Sequence, residues 1–191
     1  MVTSTGHLNT STADGGGGTD EIQLPDGADL TTLATLTGFE TVTIGTGETV
    51  TMSETQHEGF ATFTDNANQT IVLASADGDG VLTGNANIES YTLNAAFTFT
   101  LGAAGQNVTG SGGDDTVVTG GFDPTGTLAL AGGTNVVDVS GGDDISGATI
   151  SASGSYNIQL NGAATMATAQ HNAAGDILAA GGSDQITFTD A

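Results

Sequence analysis

Gly38-Phe39-Glu40-Thr41-Val42-Thr43-Ile44 decides the fold of this chain. Val42 and Ile44 alternate with Thr41 and Thr43, so apolar and hydroxyl side chains fall on opposite faces of an extended strand. These residues are β-branched, which favours a pleated strand over a helix. The stretch returns as Asn87-Ile88-Glu89-Ser90-Tyr91-Thr92-Leu93, with a weaker copy at Gly154-Ser155-Tyr156-Asn157-Ile158. The same alternation runs through Phe97–Leu101, Thr127–Leu130 and Ile186–Phe188.

Outward from these stretches, strand centres recur roughly every 9–10 residues, separated by Gly, Asp and Asn turns. That spacing suits two architectures, a β-sandwich and a parallel solenoid. Internal repeats, small residues and very short strands favour the solenoid. The expected fold is therefore all-β, a single repetitive parallel β-solenoid domain over residues 1–191 with Gly/Asp turns. Two strands per coil give coils of roughly 18–20 residues and about nine or ten coils, a rod of roughly 45 Å. The one helical candidate is Ala163–Ala174, because Gly and Thr disfavour helices elsewhere.

Lys and Arg are absent, while Asp and Glu together number 22, for a formal charge of −22. Nucleic-acid affinity rests on basic side chains that release counterions, so no nucleic-acid partner is expected. Carboxylates without basic partners are expected to face water, bind cations or repel one another. Cys is absent, which removes disulfides and thiolate metal sites and fits a bacterial surface protein. No apolar run reaches the roughly 18 residues of a transmembrane helix, so no membrane insertion is expected. Met1–His7 carries no basic and apolar leader pattern.

Gly-rich acidic turns are the candidate sites. Gly15-Gly16-Gly17-Gly18-Thr19-Asp20-Glu21-Ile22-Gln23 fits the nonapeptide G-G-x-G-x-D-x-U-x at every defined position. Gly110-Ser111-Gly112-Gly113-Asp114-Asp115-Thr116-Val117-Val118 departs from it only at Ser111. Looser copies are Gly132-Gly133-Thr134-Asn135, Gly141-Gly142-Asp143-Asp144 and Gly181-Gly182-Ser183-Asp184. At these turns the chain resembles the RTX calcium-binding repeats. Around Glu40, Glu89 and the Met-x3-Gln-His block it looks like the β-strand repeats of large secreted bacterial adhesins and surface-layer proteins. The resemblance implies an extracellular, calcium-stabilised, structural or adhesive protein. It departs from RTX arrays in having scattered rather than tandem nonapeptides.

The physical logic of such turns is that glycines allow a tight bend, Asp supplies a hard oxygen and the following aliphatic packs inward. Calcium needs about 6–8 oxygens, so one turn is not a site. Asp115 and Asn135 are 20 residues apart, about one coil, so Asp114, Asp115 and Asn135 are expected to line one side. Asp20, Asp143, Asp144 and Asp184 are further candidate ligands. Asp77-Gly78-Asp79-Gly80 offers Asp77 and Asp79 but lacks the spaced oxygens of an EF-hand loop.

All three His share a register: His7, His57 and His171 each follow Val2, Met52 or Met166 by five residues. Thirteen residues beyond each His come Asp20, Thr70 and Asp184, and two further on Ile22, Val72 and Ile186. On a rod the three His lie far apart, so local packing explains them better than one metal ion. No Gly-x-Ser-x-Gly elbow accompanies a His and Asp set, and there is no Trp, so no enzyme activity is expected. The functional expectation is a self-assembling extracellular filament, sheath or surface layer whose partner is itself, head-to-tail or lateral. The alternative is an adhesin spacer or a binding module for cell-surface glycans.

Overall fold

The computed structural model describes residues 2–3, 12–181 and 184–190. Its first strands are β1 (Val2–Thr3), β2 (Thr12–Asp14), β3 (Glu21–Leu24), β4 (Thr35–Thr37), β5 (Thr41–Ile44) and β6 (Thr49–Met52). Helix α1 (Glu54–Gly59) follows, then β7 (Thr62–Phe63), β8 (Thr70–Leu73), β9 (Val81–Thr83), β10 (Ser90–Leu93) and β11 (Thr98–Thr100). Next come β12 (Asn107–Thr109), β13 (Thr116–Val118), β14 (Thr127–Leu130), β15 (Asn135–Ser140), β16 (Thr149–Ala152), β17 (Tyr156–Asn161) and β18 (Ala164–Met166). Helix α2 (Thr168–Ala173), β19 (Ala174–Ala179) and β20 (Ile186–Phe188) complete the order.

Each strand pairs with the one a coil away, in parallel, from 17 positions on (Tyr91 with Val108) to 23 (Ala13 with Leu36). The result is the expected parallel β-solenoid, of about nine coils. It is three-sided rather than built on two strands per coil throughout. The first side stacks β1, β3, β5 and β7, and β18 with β20 further along. The second is a six-stranded ladder from β6 to β16, taking the even-numbered strands in order. The third holds β2 and β4, then a six-stranded ladder from β9 to β19.

Between β7 and β18 the chain rounds the first side in turns, and side-chain and backbone bonds keep them stacked. Asn87 Nδ2 donates to the Phe63 carbonyl, Gln106 Nε2 to the Asn85 and Ile88 carbonyls, and the Thr125 N–H to the Ala104 carbonyl. Close stacking dictates the corner residues. A Cβ on Gly126 would stand 2.0 Å from the Gln106 carbonyl oxygen, so only glycine fits there.

Period two sets the core. Ile22 and Val42 on the first side, Ile71 and Val108 on the second, and Val117 and Val137 on the third are all 0% exposed, while the intervening Thr and Ser face outward. The aliphatic after each acidic turn is inward at Ile22 and Val117. In β8, Ile71 and Leu73 are the core residues and Val72 faces outward.

The two helices replace strands. α1 follows a second-side strand and precedes a first-side one, so it fills the third-side slot between β4 and β9. α2 likewise fills a second-side slot beyond β16. It lies inside the expected helical stretch Ala163–Ala174, but Ala164–Met166 is strand β18. α1 lies where no helix was expected. Both helices carry Gln at their third position, reaching back to the residue before the first turn: Ser53 N–H donates to Gln56 Oε1 (2.9 Å) and Ala167 N–H to Gln170 Oε1 (2.9 Å). The Met-x3-Gln-His block is thus a strand end followed by one helical turn. Met52 and Met166, its first residues, are wholly buried.

Candidate functional site

The carboxylates find partners that the composition does not suggest. They accept hydrogen bonds from backbone N–H groups, often one coil away, which replaces the basic side chains that the chain lacks. Glu40 Oε2 accepts from the Asp20 N–H (2.8 Å), and Glu89 Oε2 accepts from the Gln69 N–H (2.8 Å). These glutamates occupy the same position of the repeated stretch, although β5 lies on the first side and β10 on the second. Several backbone donors around one carboxylate offset much of the cost of taking its charge out of water.

Asp115 is the best-developed case among the expected ligands. It is 0% exposed; Oδ1 accepts from the Phe97 N–H (3.0 Å), and Oδ2 from the Ser111 N–H (2.7 Å) and hydroxyl (3.0 Å). Asn135 stacks on it as its spacing predicts, with Oδ1 accepting from the Asp115 N–H (3.0 Å) and Nδ2 donating to the Gly132 carbonyl (2.8 Å). Asp114, exposed beside them, accepts from the Thr134 N–H (2.6 Å). Ser111, the one departure from the nonapeptide, is a donor to Asp115. The three residues do share one side, and hydrogen-bond donors face the oxygens of Asp115 and Asn135.

Buried Asp143 accepts from the Thr119 hydroxyl (2.5 Å) and the Gly121 N–H (3.1 Å) through Oδ2. Asp144 accepts from the Ser146 N–H (2.8 Å), and its own N–H donates to Asp123 Oδ1 (2.7 Å). Asp184 accepts from the Gly181 N–H (2.9 Å), while Gly182 and Ser183 of that turn lie outside the described residues. Asp77 accepts from the Thr55 N–H (3.0 Å) and Asp79 from the Val81 N–H (3.0 Å); both are exposed. Desolvation pushes the Asp77 carboxyl up, but hydrogen bonds from backbone N–H groups and from the Ser53 and Thr55 side chains together hold it below its ordinary value.

Asp20 differs from the rest. Its Oδ2 is buried and meets no hydrogen-bond donor. It sits in the Gly15–Gly18 turn, the closest match to the calcium nonapeptide, where a Cβ on Gly15 would stand 2.8 Å from the Asp20 Cβ and 2.0 Å from the Gly38 carbonyl oxygen. An orphan carboxylate oxygen is the kind of group that a hard cation can satisfy. Among the described residues, no group of three or more His, Asp or Glu is arranged to hold a metal ion. Both oxygens of Asp115 and Oδ2 of Asp143 already accept hydrogen bonds, whereas Asp20 Oδ2 accepts none.

Two buried polar centres carry no motif of their own. Glu54 opens α1 and is 0% exposed; its Oε2 accepts from the Gly78 N–H (2.9 Å), and Oε1 from the N–H groups of Gly80 (2.9 Å) and Val81 (3.2 Å). The Asp77–Gly80 turn, whose Asp77 and Asp79 are candidate ligands, wraps this glutamate. Its readable sign is Gly78, where a Cβ would come within 2.9 Å of the Glu54 carboxyl carbon.

His57, 5% exposed, stacks on Phe63 with ring centroids 4.7 Å apart, and its Nε2 lies 3.0 Å from the Tyr91 hydroxyl. The Asn85 N–H also donates to that hydroxyl (2.8 Å), so Tyr91 links the Asn85 turn to the His57 ring. Burial holds the His57 pKa down at about 4 and pushes the Tyr91 phenol up. His171 packs edge-on against Phe188, centroids 5.3 Å apart. The local-packing reading holds for these two, while His7 lies outside the described residues.

No helix among the described residues is long and apolar enough to cross a membrane. No protein-family model, curated protein or solved structure matches this chain.

Proposed function

We propose that this chain is a structural extracellular module that lengthens by coil-on-coil stacking into a filament, sheath or surface layer. The carrying observation is the outer face of the last described coil. Among the described residues β19 and β20 each pair on one side only, and Leu178 and Phe188 on them are 46% and 38% exposed. An unpaired parallel edge with apolar side chains is a template for another strand. At the opposite end β1 and β2 are the outer members of their ladders. Two different edges facing opposite ways make a head-to-tail contact, which propagates rather than closes.

Calcium belongs to the same reading. Stacking copies of a chain of charge −22 brings like charges together, and a divalent cation between Asp-bearing coils offsets that repulsion. The Asp20 turn is the closest match to the RTX nonapeptide, and that likeness supports calcium binding and an extracellular setting.

A concentration series in calcium, followed by light scattering and negative-stain microscopy, tests the proposal. Rods that grow with concentration are expected, with growth abolished by Leu178→Asp combined with Phe188→Asp. A monomer at every concentration would overturn the self-assembly reading, and if it also bound a glycan array it would be an adhesin segment instead.

A further inference from the structure

Because α1 stands where a strand would be, the ladder of the third side ends at β9, whose outer edge faces the helix. The Thr98 N–H donates to the Gly80 carbonyl (2.8 Å) and the Gly84 N–H to the Thr100 carbonyl (2.8 Å), so alternate residues spend their backbone groups on β11. Val81 and Thr83 therefore turn theirs toward α1. Glu54 and Asp79 take the Val81 N–H. Among the described residues, nothing meets the Thr83 N–H or the carbonyls of Val81 and Thr83.

A groove of about 340 Å³ opens along this edge, lined on the helix side by His57, Phe60 and Phe63 and on the strand side by Val81, Thr83 and Asn85. Val81 is 50% exposed, the most exposed large apolar residue described. Glu58 also lines the groove and is exposed, and exposed Asp77 and Asp79 stand just upstream of Val81. No Lys or Arg of this chain can answer those charges.

We propose that this groove binds an extended segment of another protein carrying Lys or Arg, which adds to β9 as a parallel or antiparallel strand. The Thr83 N–H and the carbonyls of Val81 and Thr83 supply main-chain hydrogen bonds, exposed Val81 an apolar contact, and Glu58 with its neighbours the attraction for cationic side chains. A second copy of this chain cannot supply the cation, which separates this contact from the end-to-end stacking proposed above.

The probe is a fluorescein-labelled peptide of alternating valine and lysine, about six residues long, titrated against the full chain by anisotropy. Three comparisons accompany it: the peptide N-methylated at alternate amides, an analogue with glutamate for lysine, and the Glu58→Gln protein. N-methylation is expected to weaken binding about tenfold or more by removing main-chain bonds. The glutamate analogue should not bind, and Glu58→Gln should weaken the parent peptide by about threefold. Saturating peptide should also slow hydrogen exchange at the Thr83 amide. Equal affinity for the N-methylated peptide, or unchanged exchange at Thr83, would overturn the proposal. Slowing of that exchange by protein concentration alone would give the groove to a second copy and likewise overturn it.

Discussion

His57 ties helix α1 to strand β10 through its hydrogen bond with the Tyr91 hydroxyl, and burial favours the neutral imidazole in the folded chain. The folded pKa of about 4 lies below the ordinary value of 6.5. Between those values the unfolded chain binds a proton that the folded chain does not. Stability is therefore full above pH 6.5 and falls as pH drops toward 4, by about 3 kcal/mol if the whole shift is expressed. Denaturant titrations from pH 7.5 to 4 should show the loss, and His57→Gln should flatten it over that window. Glu54 is a second single-residue test. Glu54→Ala strands the N–H groups of Gly78 and Gly80, while Val81 keeps Asp79, and is expected to cost about 2–3 kcal/mol, read as a lowered urea midpoint. Neither role is legible from composition, where one buried Glu looks like any of the other acids. Glu40 and Glu89 are legible, because their repeated stretch marks the position one coil from a backbone donor.

At the scale of the element, strands were far easier to foresee than helices. Thr41–Ile44, Thr127–Leu130 and Ile186–Phe188 are strands as their alternation predicts. The two helices span six residues each, too short for helical periodicity to register. Their trace is the repeated Met-x3-Gln-His spacing, in which Gln caps the turn and donates to the preceding coil: Gln56 to the Leu30 carbonyl (2.8 Å), Gln170 to the Ile145 carbonyl (2.6 Å). Coil stacking is equally local in its demands. Gly126→Ala forces a methyl against the Gln106 carbonyl and should lower the melting temperature by several degrees, equivalent to about 1–3 kcal/mol. Calorimetry of that variant beside Gly59→Ala, where a Cβ meets open space, isolates the stacking contribution.

For the whole molecule, the charge of −22 spread over a narrow rod makes stability dependent on dissolved ions. Raising sodium chloride from about 10 to 500 mM should raise the melting temperature by screening alone. If the calcium proposal holds, millimolar calcium will raise it further at matched ionic strength, with Asp20→Asn reducing that increment. Identical melting curves in calcium and in EDTA at matched ionic strength would remove calcium from the account.

Period-two alternation, Gly-rich corners and a repeat near 20 residues determined an all-β fold and favoured a parallel solenoid over a β-sandwich, because each coil repeats the same local requirements as its neighbours. The stacking of Asp115 with Asn135 follows from that repeat too. Tertiary structure alone decided what the carboxylates do. Whether an Asp oxygen faces water, a cation or a backbone N–H depends on which coil lies above it and how the corner between them bends. The same holds for the substitution of α1 for a third-side strand. That change breaks the ladder at β9 and leaves an edge whose hydrogen-bonding groups no local pattern reveals.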